Sequence, residues 1–166
     1  MASGAFLELT QQVLEVSRAP HAIVIVNDRA DIVAMSAADG LHIGQTDLSA
    51  ADSRAVIGAA PILGLSTHTV EQWESAVLEP VTYIAIGPVF GTGTKATGYD
   101  AVGLQLVMDA SRAAAARGLP TVAIGGITLE NAAAVIDAGA ASVAVISDLL
   151  KGDPEARCRQ FLNALR

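Results

Sequence analysis

Apolar residues in this chain fall in short runs that alternate with longer stretches of helical spacing. Residues 22–26 and 142–146 are β-branched runs of the kind found in buried strands. Strands are predicted to begin near six positions, mostly about 20 residues apart: Ile23, Leu41, Ile62, Tyr83, Thr121 and Ser142. Strict alternation of short strands with helices predicts parallel βα units joined by right-handed crossovers.

The first and last helices carry apolar stripes that we expect to be buried. In the first helix the stripe has spacings of three, four and three residues and consists of Phe6, Leu9, Val13 and Val16. In the last helix, which Asp153 and Pro154 are predicted to begin, the stripe consists of Cys158, Phe161, Leu162 and Leu165.

Short strands and uniform units favour a (β/α) barrel over a doubly wound sheet, so the predicted fold class is α/β of the TIM-barrel type. No linker interrupts the pattern, and residues 1–166 are predicted to form one domain. The standard barrel has eight strands, whereas this chain opens on a helix and carries six. We therefore expect an incomplete barrel whose first and last strands leave open edges. Open edges favour pairing, and we expect a homo-oligomer or an edge covered by the N-terminal helix.

Composition narrows the possible partners. The chain has 166 residues, of which 52% are hydrophobic and 16% charged, as suits a buried parallel sheet with alanine-rich helices. Its apolar runs are too short for a membrane span, the N-terminus lacks a signal-peptide layout, and the single Cys158 excludes an intrachain disulfide. The predicted location is the cytoplasm. A net charge of −7 argues against nucleic acid and anionic membranes as partners.

The most distinctive stretch is the long loop 87–98, which follows the strand at Tyr83. Its glycines allow backbone N–H groups to approach an anion, its threonines add donors, and Lys95 adds a positive charge. These features suit a phosphate ester. Taken alone, the loop is equally well explained as a mobile surface loop of small residues.

Every cluster of reactive or polar residues follows a predicted strand, where parallel barrels place their active sites. Asp28 and Asp47 could share Mg²⁺, although each could also cap a helix or turn. Gly125 and Gly126 have the geometry of a phosphate cradle or of a tight βα turn, and Ser147 gives a weaker phosphate signal. The clusters are Asn27–Asp28, Asp47, Ser66 with His68, Thr92 to Lys95, Gly125–Gly126 and Ser147.

The remaining candidates are less informative. His42 lies within a strand and is predicted to be a hydrogen-bonded interior residue, whereas His68 lies at a loop edge and could be structural or functional. Trp73 and Cys158 are predicted to be packing residues. No Ser/His/Asp set and no Cys/His metal spacing occurs in the sequence.

Taken together, these motifs resemble the thiamine phosphate synthase family in order and spacing over nearly the whole chain. The residues that carry the resemblance are Asn27–Asp28, 40–45 with Asp47, 64–69, 87–95 and 124–127. The resemblance implies an enzyme that joins a hydroxymethylpyrimidine diphosphate to a thiazole phosphate and releases pyrophosphate. It implies small phosphorylated substrates and Mg²⁺ as the cofactor.

The resemblance also implies roles for individual residues. Asp28 and Asp47 would hold Mg²⁺ against the diphosphate. Asn27, Ser66 and Lys95 would contact the pyrimidine substrate and its leaving group, with Ser66 and Lys95 the candidate catalytic residues. The thiazole phosphate would be held by Thr92, Gly93, Thr94, Gly125, Gly126, Ile146 and Ser147.

One family motif has no counterpart. The second strand of the family carries a Gln-Leu-Arg-x-Lys type motif that grips the diphosphate, and by alignment of motifs this chain starts on the helix after that strand. We therefore expect weakened synthase activity. A degenerate barrel that binds phosphate without catalysis is the alternative, and a thiazole tautomerase ranks lower because Pro88 stands where that branch places a histidine.

Overall fold

Parallel strand pairing organises the protein, as the sequence pattern predicts. The computed structural model describes residues 1–91, 93 and 98–165. Within them the chain divides into two compact units, residues 1–66 with 79–83 and the remainder of the described chain. The single domain over residues 1–166 stays a prediction.

The first unit contains three consecutive βα units behind an N-terminal helix. β1 pairs with β2 and β2 with β3, each in parallel, and the register places Asn27 opposite His42 and His42 opposite Gly64. Its elements are α1 (Ser3–Ser17), β1 (Ile25–Asn27), α2 (Ala30–Ser36), β2 (Gly40–Ile43), α3 (Ala50–Ile57) and β3 (Ile62–Thr67, of which Thr67 belongs to the second unit).

The second unit repeats the pattern. β4 pairs with β5 and β5 with β6, again in parallel. Its elements are α4 (Val70–Ala76), β4 (Tyr83–Ile86, of which Tyr83 belongs to the first unit), α5 (Gly103–Ala115), β5 (Thr121–Ile124), α6 (Ala132–Asp137), β6 (Ser142–Ala144) and α7 (Pro154–Ala164). The predicted parallel α/β class is confirmed, with all six predicted strands present among the described residues.

The predicted stripe of α1 is wrong for three of its four residues. Leu9, Val13 and Val16 are exposed, and the helix instead buries Thr10 between half-buried Phe6 and Leu14. Residues 6, 10 and 14 also have helical spacing, so periodicity alone cannot choose between the two faces. The hydroxyl of Thr10 donates to the Phe6 carbonyl at 2.8 Å, which satisfies it in its buried position.

The last helix shows the same kind of difference. Only Phe161 of its predicted stripe is buried, and Cys158 and Leu162 are exposed. α7 therefore covers the core with a single aromatic side chain. Its predicted start is confirmed, because Pro154 is the first helical residue and the Asp153 side chain accepts from the Glu155 N–H at 3.1 Å.

Arg54 of α3 closes the N-terminal ends of strands in the first unit. Its guanidinium donates to the Pro61 carbonyl at 2.6 Å, the Pro80 carbonyl at 2.9 Å and the Thr82 hydroxyl at 3.1 Å. Three acceptors fixed in different directions match the rigid fork of donors that only arginine carries. This end of the strands is therefore held by structural hydrogen bonds.

Gly64 of β3 makes room for the Tyr83 ring. A Cβ atom at Gly64 would lie 2.1 Å from Tyr83 Cζ, a separation that no packed carbon pair can adopt. The ring therefore occupies the space that any other residue at position 64 would fill. Half-buried Tyr83 and buried Gly64 therefore pack directly against each other within the first unit.

We expect Gly64→Ala to lower the free energy of unfolding by roughly 1–3 kcal/mol, because the Tyr83 ring must move. Gly4→Ala is the matched control, since nothing lies within 4 Å of its Cβ position in α1. That substitution should be neutral or stabilising by up to about 1 kcal/mol. Urea unfolding measures both, and equal values for the two variants would contradict the packing argument.

Candidate functional site

The C-terminal end of β1 presents Asn27 and Asp28, both exposed. Asp28 has a φ of 66°, a left-handed conformation that Asp and Asn adopt more readily than most residues. Its N–H donates to the His42 carbonyl at 2.8 Å, so the pairing of β1 with β2 fixes its backbone. The predicted carboxylate is therefore held directly beyond the end of β1.

Asp47 lies in the turn that follows β2. Its Oδ2 accepts from the Gly44 N–H at 2.7 Å, which closes the turn, and the side chain is exposed. Carboxylate oxygens are hard donors that suit Mg²⁺, which needs only one or two of them when substrate phosphates supply the rest. Asp28 and Asp47 fit that chemistry. In the described part of the chain, no group of three or more His, Cys, Asp or Glu side chains is arranged to hold a metal ion.

Ser66 lies in β3 and is held from two sides. Its Oγ lies 2.7 Å from His42 Nε2, and its carbonyl accepts from Gln45 Nε2 at 2.6 Å. His42 Nδ1 in turn lies 2.8 Å from the Tyr83 hydroxyl. The structure thus ties the backbone of Asp28 to the His42 carbonyl and the hydroxyl of Ser66 to the His42 ring, and it confirms His42 as a hydrogen-bonded, half-buried residue.

In the second unit, Gly125 and Gly126 form the predicted tight turn after β5. Their φ values are 98° and 64°, a conformation that side chains disfavour. A Cβ at Gly125 would lie 2.5 Å from Pro88 Cβ, and one at Gly126 would lie 2.7 Å from the Gly91 carbonyl oxygen. Both glycines are therefore required by the close packing of the segment 87–91 on this turn.

That packing leaves backbone donors at the turn. The Val89 and Phe90 N–H groups donate to the carbonyls of Ile124 and Gly125, so the segment 87–91 is tied to the carbonyls of the turn. The N–H groups of Gly126 and Ile127 donate to no main-chain acceptor within the described residues. Backbone N–H groups at a glycine turn are the kind of donor that a phosphate needs.

The structure describes only some of the other residues that are predicted to bind phosphate. Ile146 and Ser147 follow β6 and are exposed, as is Gly93. Thr92, Thr94 and Lys95 lie outside the described residues. His68 is half-buried, with its Nδ1 on the Gly87 carbonyl and its ring stacked on Tyr99 at 4.1 Å between centroids. These contacts explain His68 as a packing residue.

Asp148 directly follows Ser147, and sequence reasoning missed its role. The side chain is only 1% exposed. It accepts from the Leu129 N–H at 3.0 Å and from Arg157 Nη2 at 2.6 Å, and Lys151 Nζ lies 2.9 Å from its other oxygen. The carboxylate thus ties the segment after Gly126 to the segment after β6. Burial raises the pKa of Asp148, but the hydrogen bonds from Lys151, Arg157 and Leu129 outweigh burial and lower the pKa to about 2.

The Asp148 contact also explains why α6 is short. The helix begins only at Ala132. Leu129 donates to Asp148, while the Asn131 side chain accepts from the Thr128 N–H at 2.8 Å and donates to the Gly126 carbonyl at 3.1 Å. Residues 128–131 therefore form a hydrogen-bonded turn. Many sequences carry an Asp after a strand and a basic residue nine positions later. The sequence therefore cannot predict the ion pair between Asp148 and Arg157.

Known proteins resemble this chain along most of its length. The family model described as thiamine monophosphate synthase matches residues 1–149. The thiamine-phosphate synthase of Koribacter versatilis is 44% identical over 98% of this chain and 76% of the relative. That of Roseiflexus castenholzii is 43% identical over 93% of this chain and 67% of the relative.

A solved structure supports the fold class. The thiamine phosphate pyrophosphorylase of Pyrococcus furiosus superposes with a TM-score of 0.88, covering 99% of this chain and 78% of that chain at 24% identity. At this identity the likeness speaks to the fold. The predicted parallel barrel-type class is thereby confirmed.

Asp148 should make the protein less stable in acid. Its folded pKa of about 2 lies below its ordinary value of 3.8, so its contribution is present above pH 3.8 and is lost as the pH falls through about 2. We expect Asp148→Asn to cost roughly 3–5 kcal/mol at neutral pH, because Arg157 loses its buried partner. Unfolding in urea across this pH range measures the effect.

Asp109→Asn is the matched control, since Asp109 is exposed and bonded only to Gln105 among the described residues. It should change stability by less than about 0.5 kcal/mol. If the two variants lose the same stability over the same pH range, the contacts of Asp148 with Arg157, Lys151 and Leu129 do not cause the loss of stability in acid.

Proposed function

The chain belongs to the thiamine monophosphate synthase family, and from that membership we propose that it joins a hydroxymethylpyrimidine diphosphate to a thiazole phosphate. The products are thiamine phosphate and pyrophosphate. The observation that supports the proposal is a placement in the first unit: the Asp28 backbone N–H donates to the His42 carbonyl, and Ser66 Oγ bonds the ring of the same residue. A carboxylate and a hydroxyl at the C-terminal ends of parallel strands suit a diphosphate leaving group.

The leaving group sets the main demand on the protein. The amino group of the pyrimidine can stabilise a positive methylene carbon, so the barrier depends on stabilising the departing pyrophosphate and positioning the thiazole nitrogen. We assign Asn27, Ser66 and Lys95 to the pyrimidine diphosphate, with Ser66 and Lys95 as the catalytic residues. Each would contact the diphosphate or the ring that carries it.

We assign the metal role to Asp28 and Asp47. Mg²⁺, when bound, would neutralise charge on the diphosphate oxygens. The hydrogen bond from Gly44 to Asp47 orients one carboxylate oxygen and leaves the other for a ligand. The backbone bond from Asp28 to His42 keeps that carboxylate at the end of β1.

In this proposal, residues of the second unit bind the thiazole phosphate. Two observations support it: the N–H groups of Gly126 and Ile127 have no main-chain acceptor among the residues that the structure describes, and Ser147 is exposed. The assigned residues are Thr92, Gly93, Thr94, Gly125, Gly126, Ile146 and Ser147. The backbone donors offset the negative net charge of the protein locally, which an acidic protein needs if it is to hold a phosphate.

Association of copies and a cytoplasmic location remain part of the proposal. The exposed apolar side chains Leu9, Val13 and Val16 of α1 support association, because monomeric proteins seldom leave such a stripe in water. Sedimentation would measure it. No helix among the described residues combines the length and apolar character that a membrane crossing requires.

The direct test of the function is synthesis from both substrates in the presence of Mg²⁺, with thiamine phosphate identified by mass spectrometry. Product formation is expected. Binding of thiazole phosphate without product would instead favour the non-catalytic phosphate-binding barrel.

We expect Asp47→Asn to raise the Mg²⁺ concentration for half-maximal activity at least about tenfold, because a neutral amide replaces a charged ligand. The amide oxygen can still accept from Gly44, so the turn should persist. Asp52→Asn is the matched control, since Asp52 bonds Ser49 at the start of α3. Magnesium titrations of steady-state rates compare the two, and a similar shift in both would refute the metal role of Asp47.

We expect Ser147→Asp to weaken binding of thiazole phosphate at least about tenfold, because it adds a negative charge beside the proposed phosphate. Ser142→Asp is the matched control at the opposite end of β6, where the side chain is also exposed. Calorimetry with thiazole phosphate measures both. Unchanged binding to the Ser147 variant would place the phosphate elsewhere.

A further inference from the structure

Tyr83, His42 and Ser66 form a chain of side-chain hydrogen bonds within the first unit. The Tyr83 hydroxyl lies 2.8 Å from His42 Nδ1, and His42 Nε2 lies 2.7 Å from Ser66 Oγ. His42 is opposite Gly64 in the parallel register, and Gly64 and Ser66 are two positions apart in β3, so they share a face of the sheet. The three polar groups therefore meet on one face of neighbouring strands.

Packing fixes both rings of this chain. The Tyr83 ring fills the space above Gly64, and the His42 and Tyr83 rings are stacked with centroids 5.6 Å apart and planes at 25°. Gln45 holds the Ser66 backbone through its carbonyl. The geometry of the hydrogen bonds is thus determined before any substrate binds.

The direction of the hydrogen bonds follows from Tyr83. Burial raises the pKa of its hydroxyl, which keeps the proton at neutral pH. His42 is its only side-chain acceptor within the described residues. A half-buried O–H group that donates to nothing is costly, whereas a phenol oxygen that accepts nothing costs little. When the His42 ring is neutral, Tyr83 therefore donates to His42 Nδ1.

The tautomer of His42 then determines the role of Ser66. A neutral imidazole whose Nδ1 accepts carries its proton on Nε2, which donates to Ser66 Oγ. The serine oxygen is thus an acceptor toward His42, and its own proton remains available for another group. The opposite direction would engage the serine proton with Nε2, as in enzymes with a serine nucleophile.

We propose that Tyr83 and His42 are positioning residues that make Ser66 a hydrogen-bond donor to a phosphate oxygen of the departing pyrophosphate. The inference rests on the proposed synthase function. In that reaction the methylene C–O bond breaks with its electron pair leaving on pyrophosphate, and the thiazole nitrogen lone pair forms the new C–N bond. Ser66 transfers no proton and forms no covalent bond, and its O–H stabilises charge that grows on the leaving oxygen.

The tautomer can be tested without activity. In protein labelled with ¹⁵N-histidine, the ring nitrogen shifts of His42 distinguish protonated from unprotonated nitrogen, and a His42→Asn sample assigns them. At a pH where the ring is neutral, we expect protonated Nε2 and unprotonated Nδ1. The reverse pattern would overturn the inference even if the protein is an active synthase.

Kinetics test whether Tyr83 acts through Ser66. We expect Tyr83→Phe to lower kcat roughly fivefold, the effect of one neutral hydrogen bond, with the KM for thiazole phosphate unchanged. Ser66→Ala should lower kcat about 10²-fold. In the Ser66→Ala background the Tyr83 change should have no further effect on kcat, because the hydroxyl that it orients is gone.

Tyr99→Phe is the matched control, because the Tyr99 hydroxyl accepts from Gln72 and the aromatic ring is kept. Its kcat should stay within about twofold of the parent value. Equal losses from Tyr83→Phe with and without Ser66 would indicate a purely structural role and overturn the inference. If the parent makes no thiamine phosphate, the synthase proposal fails, and the ¹⁵N shifts still decide the direction of the hydrogen bonds.

Discussion

Parallel pairing of very short strands is the constraint on which the rest of this structure depends. Strands of three to six residues cannot bury much by themselves, so each needs a helix on its outer side and a partner in register. Parallel register sends all strand ends of one kind to the same edge. In the first unit this lets the Asp28 backbone bond the His42 carbonyl and the His42 ring bond Ser66, while Arg54 holds the N-terminal ends.

The sequence predicts the order and type of the elements well because alternation and turn residues act locally. The side chains of Ser49, Thr69 and Asp153 cap the starts of α3, α4 and α7, each within three residues of the N–H that it accepts from. It predicts the buried face of a helix poorly, as α1 shows, because two faces have equivalent spacing and only tertiary packing decides between them. The late start of α6 has a similar cause, since Asp148 competes from a distant segment for the Leu129 N–H.

In the candidate site, too, the features that depend on local sequence can be predicted and those that depend on tertiary packing cannot. Residue types directly after strands, such as Asp28 and Asp47, can be found from sequence because topology fixes their place. The partners that orient them cannot, because His42 and Tyr83 are 41 positions apart and meet only through strand register. The sequence predicts a tight turn at Gly125, but the close packing of Pro88 on Gly125 is visible only in the folded chain.

The Tyr83 ring occupies the space that a side chain at position 64 would need, and this constrains how the two positions can change during evolution. A side chain at position 64 and a large ring at position 83 exclude each other, so neither position can change size alone without disturbing His42. Among related proteins the residues at positions 64 and 83 should therefore covary. A lineage that places a larger residue at 64 would also have to replace the tyrosine and find another way to orient the histidine.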